Sequence, residues 1–372
     1  MLKERDRQAR HHDPKRVGTL VDRLELMFEW YKGMVDEATG RLLYSYDPET
    51  GVAIGDGEPI RDIAAVWDVE VLSAFLGRDD LRDLIRRSLD HFEQRVVPRD
   101  GYAIVTPGGE SSSIAHSAFM ALALARSDLP DKVQRVTPLV DGIIRQQRKE
   151  GSYKIFFDAV SDSGEELYPA EAMLALLEAH RLTGDARYLD SAERGFAYYK
   201  REYYDRGLVA PDAMVFFANW QSQMGRPLFE ATSRPEVKDL VRAFLFELHD
   251  RVIASGFYER VARKPERQAC VEVACGLEGL ADAYAVALAT QDRRTAEYRR
   301  CIGIALAFLV RAQRTTDCTA RERGGFRGSF TSREQRIDVT GHVASGFIKS
   351  VENGIPEPAT SLHVTDQGLG GG

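Results

Sequence analysis

Apolar positions along this chain recur at two alternating densities. From Val17 to about Val35, Leu20, Leu24, Met27, Phe28 and Tyr31 fall three and four apart, the spacing of one helical face. From Glu58 to Leu76 the apolar residues, among them Ile63, Ala64, Ala65, Val66, Val69 and Leu72, cover most of the circumference. A helix apolar nearly all round is buried, whereas one with a single stripe is half exposed. The same contrast continues down the chain. Ser113–Ala125, Tyr168–Ala179, Ala213–Phe229, Gln268–Leu288 and Val339–Val351 are apolar-rich, while Leu81–Val97, Lys132–Gln147, Ala186–Tyr204, Glu236–Ile253 and Arg294–Gln313 carry charge on one face. Short polar turns join the pairs. In Thr183-Gly-Asp185 the glycine suits a left-handed C-cap and the aspartate can accept from the orphan N–H groups of the next helix.

A glycine followed by an aromatic or aliphatic stretch precedes each apolar-rich helix, about every fifty residues: Gly40–Tyr44, Gly101–Ile104, Gly151–Ile155, Gly207–Val209, Gly256–Tyr258 and Gly325–Gly328. Such a period marks a repeat architecture. The expected fold is all-α, six helical hairpins in one domain over residues 17–352. Closed into a ring, they make an (α/α)6 toroid with the apolar helices inside and the short strands at one end; an open solenoid of the same hairpins is the alternative. Residues 1–16 read as a flexible arm and 353–372 as a C-terminal tail.

The 372 residues are 44% hydrophobic and 29% charged, ordinary for a globular protein. A net charge of −7 argues against nucleic acid or an anionic membrane as the main partner. The charged start of the chain has no apolar core of a secretory signal, and no apolar run reaches the length of a membrane span. Four cysteines give no disulfide framework, which points to a reducing cytoplasm. The expected partner is a small-molecule or oligosaccharide substrate.

Candidate chemistry comes from one polar residue early in each apolar helix: Asp68, His116, Glu171, Gln221, Glu272 and His342. Buried polar groups cost several kcal/mol unless they are paired or face water, roughly 2–7 kcal/mol for neutral groups, so their recurrence predicts a polar pocket at the strand end of the barrel. Asp68 and Glu171 are the candidate acid/base pair, because a carboxyl against apolar walls titrates high enough to act as an acid. His116 and His342 would share proton transfer or orient the substrate. Trp67, Tyr168 and Trp220 offer flat faces for a sugar or isoprenoid, and Asn219, Gln221 and Glu272 are candidates for binding hydroxyls. No cofactor is expected; the alternative is zinc on Cys270, Glu272 and His342, with Asp338 nearby, since these residue types are zinc ligands. Gly324–Gly328 lacks the lysine and hydroxyl of a phosphate loop and reads as a strand turn.

The hairpins, the glycine-aromatic strands and the turn Leu182–Tyr188 resemble the α/α-toroid superfamily. That group includes six-hairpin glycosidase-like enzymes and sugar epimerases and, more distantly, the terpenoid cyclase and protein prenyltransferase toroids. Tyr168-Pro-Ala-Glu-Ala-Met-Leu-Ala-Leu176 is similar to the inner-helix start of glycosidase-like members, where a carboxylate faces the sugar. Gly325-Phe-Arg followed by Asp338-Val-Thr-Gly-His342 is similar in layout to the prenyltransferase toroid, but the repeated Gly-Gly-Phe motifs of that group are absent. The resemblance implies a glycoside hydrolase or sugar epimerase working through the barrel mouth. The alternatives are a zinc-dependent transferase or cyclase, and a non-catalytic glycan- or peptide-binding module.

Overall fold

The computed structural model describes residues 17–55, 59–108 and 111–357. The expected arm at 1–16 and the last part of the tail, 358–372, lie outside the described residues. Six apolar-rich helices form the inner layer: α2 (Pro59–Leu76), α4 (Ile114–Arg126), α6 (Tyr168–Thr183), α8 (Met214–Ala231), α11 (Cys270–Ala289) and α13 (Ile337–Glu352). Each contacts the next, and α13 packs on α2, so the ring closes as a toroid. Striped helices form the outer layer: α1 (Leu20–Gly33), α3 (Arg82–Glu93), α5 (Lys132–Gln146), α7 (Ala186–Tyr198), α9 (Pro235–Ala254) and α12 (Thr295–Ala312).

The two patterns explain the two layers. On α5, Val136, Leu139, Val140 and Ile143 are buried on one face, whereas on α4 every residue from Ile114 to Ala125 is buried. Close contact between inner helices depends on small residues. A Cβ added at Gly279 of α11 would lie 2.7 Å from the Cα of Asn219 on α8, and one added at Gly341 of α13 would overlap the Asp68 carboxylate of α2.

Strands β1 (Ser45–Asp47), β2 (Val52–Ile54), β5 (Arg327–Ser329) and β6 (Ser332–Arg336) form a sheet in the order β2-β1-β6-β5. Its β1–β6 pair joins the first repeat to the last, with Ser45 opposite Arg336. The Ile337 N–H donates to the Tyr44 carbonyl at 3.0 Å and Trp30 Nε1 donates to Gln335 Oε1 at 3.0 Å, so the seam is hydrogen-bonded as well as packed. A hairpin of β3 (Val96–Arg99) and β4 (Tyr102–Val105) precedes α4. These strands lead into inner-helix N-termini and place the loops at one mouth of the barrel.

Four of the six expected strands differ: Gly40–Tyr44 and Gly151–Ile155 carry only isolated bridges, Leu42 to Val35 and Tyr153 to Gln147. Gly256 takes φ 74° and starts the short helix α10 (Phe257–Arg263), because the apolar Phe257, Tyr258 and Val261 bury one helical face. Gly207–Val209 forms no strand; a π-helical turn, Tyr199–Tyr204, runs into it, with Tyr204 stacked on Phe217 at 6.0 Å between centroids. Part of the expected tail is structural. Glu357 accepts from the Leu20 N–H at 2.9 Å and 3.0 Å, a carboxylate on the N-terminus of α1.

Candidate active site

A cavity of about 420 Å³ occupies the N-terminal mouth of the inner barrel. Its apolar walls are Ile60, Ala64, Leu167 and Val271 with the aromatic Trp67, Phe119, Tyr168, Phe216 and Trp220; its polar groups are Asp68, Glu171, Glu278, His342, Arg61, Arg336 and Asp338. Trp220 meets the His342 ring edge-on at 5.8 Å, and Phe119 meets Trp220 edge-on at 5.7 Å. Concave, mostly aromatic space with a few convergent polar groups is the usual form of a small-molecule site.

The centre of the site is a histidine held by a carboxylate. His342 Nδ1 lies 2.8 Å from Glu278 Oε2, and Asn219 Nδ2 donates to the same oxygen at 3.0 Å. The close approach of Gly279 to Asn219 brings these helices near enough for that bond. Lys349 Nζ sits 3.7 Å from Glu278 Oε1 and 2.7 Å from Asp282 Oδ2. Burial works against ionisation of Glu278, but Lys349 and His342 outweigh it and hold the carboxyl at about 2. Burial likewise disfavours the His342 imidazolium, yet Cys275 and Glu278 raise its titration well above the usual histidine range. Because burial pushes the Cys275 thiol up, Glu278 is the charged partner that sustains the imidazolium.

Two further carboxyls stand without a strong cationic partner. Burial raises Asp68 to about 7 and Glu171 to about 8, in each case against the opposing pull of His342. Glu171 Oε2 is buried with no hydrogen-bond partner, and so is Trp67 Nε1. At the rim, Arg336 grips Asp338 with both nitrogens at 2.9 Å and 2.5 Å, and Arg61 Nε lies 3.6 Å from it. Burial opposes that charge, but Arg336 keeps Asp338 below the ordinary carboxylate range.

Of the residues read from sequence, the cavity gathers Asp68, Glu171, His342, Trp67, Tyr168 and Trp220. The other members of the polar set lie elsewhere. His116 is the third residue of α4, and its Nδ1 takes part in a capping box with the Ser113 N–H at 3.2 Å and hydroxyl at 2.8 Å. Gln221 is buried outside the cavity lining, Asn219 acts on Glu278, and Glu272 is half-buried beside Arg260's field. The six residues stand at different distances from the starts of their helices. Asp68 is the tenth residue of α2, Glu171 the fourth of α6 and His342 the sixth of α13, and these reach the cavity; His116 is the third of α4, Gln221 the eighth of α8 and Glu272 the third of α11, and these do not.

Glu278 is the residue sequence reasoning missed. Its signal was an i, i+4 pair of acids, Glu278 and Asp282, on one face of a helix that is otherwise almost wholly apolar, with Lys349 seven residues after His342. The alternative zinc set is not assembled. Among the described residues no three His, Cys, Asp or Glu side chains are grouped to hold a metal; Cys270 is fully buried, and the cysteine beside His342 is Cys275.

No family model matches the sequence, and no curated protein matches it. Solved structures do. A sugar epimerase from a ruminal bacterium superposes at TM-score 0.67 with 12% identity, covering 91% of this chain and 98% of that one. D-mannose isomerase gives 0.68 with 11% identity, covering 92% and 100%. An inactive variant of an α-1,6-mannanase from a Salegentibacter species, in complex with α-1,6-mannotetrose, gives 0.65 with 11% identity, covering 90% and 100%. The chain shares the (α/α)6 toroid fold with these structures. No helix among the described residues is long and apolar enough to cross a membrane.

Proposed function

We propose that the protein is a carbohydrate-active enzyme that epimerises or isomerises a free sugar by moving a proton at the carbon next to its carbonyl. The observation that carries this reading is the His342–Glu278 pair at 2.8 Å in the wall of an aromatic-lined cavity. Glu278 engages Nδ1, so proton exchange with a ligand is assigned to Nε2. Asp68, titrating at about 7, serves as the partner base, so one group can take the carbon-bound proton while the imidazolium returns one. Glu171, at about 8, is mostly protonated at neutral pH and donates a hydrogen bond to the sugar's carbonyl oxygen, where negative charge develops. Trp67, Tyr168 and Trp220 supply the stacking faces. The names of two of the structural neighbours, a sugar epimerase and a D-mannose isomerase, belong to the same reaction class.

Hydrolysis is the second reading, favoured by the split between Asp68 and Glu171. A glycosidase needs one protonated and one ionised carboxyl across the scissile bond, and Glu171 as acid with Asp68 as base would supply them. Proton transfer by His342 is preferred because hydrolysis by Glu171 and Asp68 would give the buried His342–Glu278–Lys349 set no role in the chemistry. All four cysteines are free thiols, which supports a cytoplasmic setting.

The test is product analysis with neutral aldoses and ketoses alongside α-mannosides. Interconversion of free sugars that His342→Asn reduces at least a hundredfold, with its circular dichroism and melting unchanged, supports the proposal. Release of new reducing ends that survives in His342→Asn but not in Asp68→Asn contradicts it and selects hydrolysis.

A further inference from the structure

The barrel axis does not end at the floor of the mouth cavity. Trp67 and Asp68 also line a second cavity, of about 270 Å³, on their far side. Every inner helix contributes to it: Val71 of α2, Arg126 of α4, Leu174 of α6, Gln223 of α8, Asp282 of α11 and Lys349 of α13. It is therefore coaxial with the first cavity and belongs to the opposite, C-terminal end of the barrel. A neighbouring space of about 400 Å³ shares Trp67, Arg126, Leu174, Pro227 and Glu230 with it.

Two features say that this space is built for a ligand. Gln223 is only 5% exposed, lines the cavity and has no hydrogen-bond partner for Nε2. An unpaired buried amide donor costs about 1–3 kcal/mol, a cost that a ligand oxygen removes. Trp67 Nε1, in the partition, is a second buried donor without a partner.

The charges define what fits. Arg126, Arg226 and Lys349 line it together with Asp68, Glu230, Asp282 and Glu352. Arg226 Nη1 is 3.4 Å from Asp282 Oδ1 and its Nε 3.0 Å from Glu230 Oε1, Lys349 Nζ is 2.7 Å from Asp282 Oδ2, and Arg126 Nε is 3.2 Å from Glu178 Oε1 outside this lining, so each cation is already paired. The lining holds three cations, each taken up by a carboxylate, and four carboxyls, so no free positive charge is left in it to select an anion. Val71, Leu174, Pro227, Ala344 and Ile348 provide apolar wall.

We infer that the C-terminal end of the barrel is a second binding site, for a neutral polyhydroxylated molecule, separated from the mouth cavity by Trp67 and Asp68. Its occupant offers oxygens to Gln223 and Trp67 and lays carbon against the apolar wall. The site stands on its own polar groups and does not require that His342 turn over a sugar.

Equilibrium dialysis of the full chain against radiolabelled D-mannitol and D-mannose counts the sites. Mannitol has no carbonyl to react. Two sites per chain are expected for the wild type. Val71→Trp, which fills the second cavity, and Gln223→Leu, which removes its unpaired amide, each reduce the count to one. Trp220→Ala, which alters only the mouth cavity, weakens the other site and leaves this one. A single site that Trp220→Ala removes and that Val71→Trp and Gln223→Leu leave intact overturns the inference, as does no binding of either probe. Loss of mouth binding alone counts against the proposed reaction site and not against this one.

Discussion

At the scale of residues, one buried charge holds another. Glu278 and His342 lie 2.8 Å apart, and each keeps the other ionised against burial. Glu278→Gln removes the anion while keeping the shape, so the imidazolium loses its main support. Its proton should then come off well below the wild-type value, read from the imidazole C–H shifts in an NMR titration; an unchanged titration would show that Glu278 does not tune it. Glu171 gives a prediction about stability. Its carboxyl is raised from 4.5 to about 8 by burial, so between those values the folded protein holds a proton that the unfolded chain has lost. Stability from this group is therefore present at low pH, falls as pH rises through that window, and levels off above about 8. Glu171→Gln, neutral at every pH, should show a smaller drop in melting temperature between about pH 5 and about pH 8.5 than the wild type. An equal drop would mean that Glu171 is ionised in the folded protein at neutral pH.

At the scale of elements, the sequence was most legible where side-chain pattern alone decides the outcome. The fully apolar α4 and the striped α5 announce inner and outer positions because burial follows the width of the apolar face. Facing was less legible, since it depends on where each helix starts. His116 is an instance: its place at the third position of α4 lets Nδ1 serve the cap, and its imidazole is lowered to about 4 mainly by burial. Ser113→Ala should therefore cost about 1 kcal/mol of stability, the usual worth of an N-cap, measured by denaturant unfolding, with sugar turnover by the folded protein unchanged. A large loss of turnover would instead return His116 to the chemistry. The crossing of α13 and α2 carries the complementary case. A methyl at Gly341 would overlap the Asp68 carboxylate, whereas one at Gly303 meets nothing within 4 Å. Gly341→Ala should lower turnover at least tenfold through displacement of Asp68 and cost about 1–3 kcal/mol as an overpacked contact. Gly303→Ala is the neutral control, and equal behaviour of the two would contradict the geometry.

At the scale of the whole molecule, closure of the ring turns six similar hairpins into one site. The α13–α2 contact, the β1–β6 pair and the Glu357 cap on α1 all tie the end of the chain to its beginning. Closure brings His342 of the last repeat beside Asp68 of the first and Glu171 of the third around a common cavity. The repeat period indicated hairpins and an inner layer, but a ring and a solenoid share that period. Only long-range pairing, invisible in local patterns, distinguishes them. Glu278 was hidden for the same reason, because its partner His342 lies 64 residues away on another helix. The central claim is that this shared cavity moves a proton at the carbon beside a sugar's carbonyl. The most direct measurement is proton NMR of D-mannose, D-glucose and D-fructose incubated with the protein in deuterated water. Deuterium should enter at the carbon next to the carbonyl of at least one of these sugars with the wild type, and its entry should fall at least a hundredfold with His342→Asn. No exchange into any of them by folded wild-type protein, or equal exchange with the variant, would contradict the account.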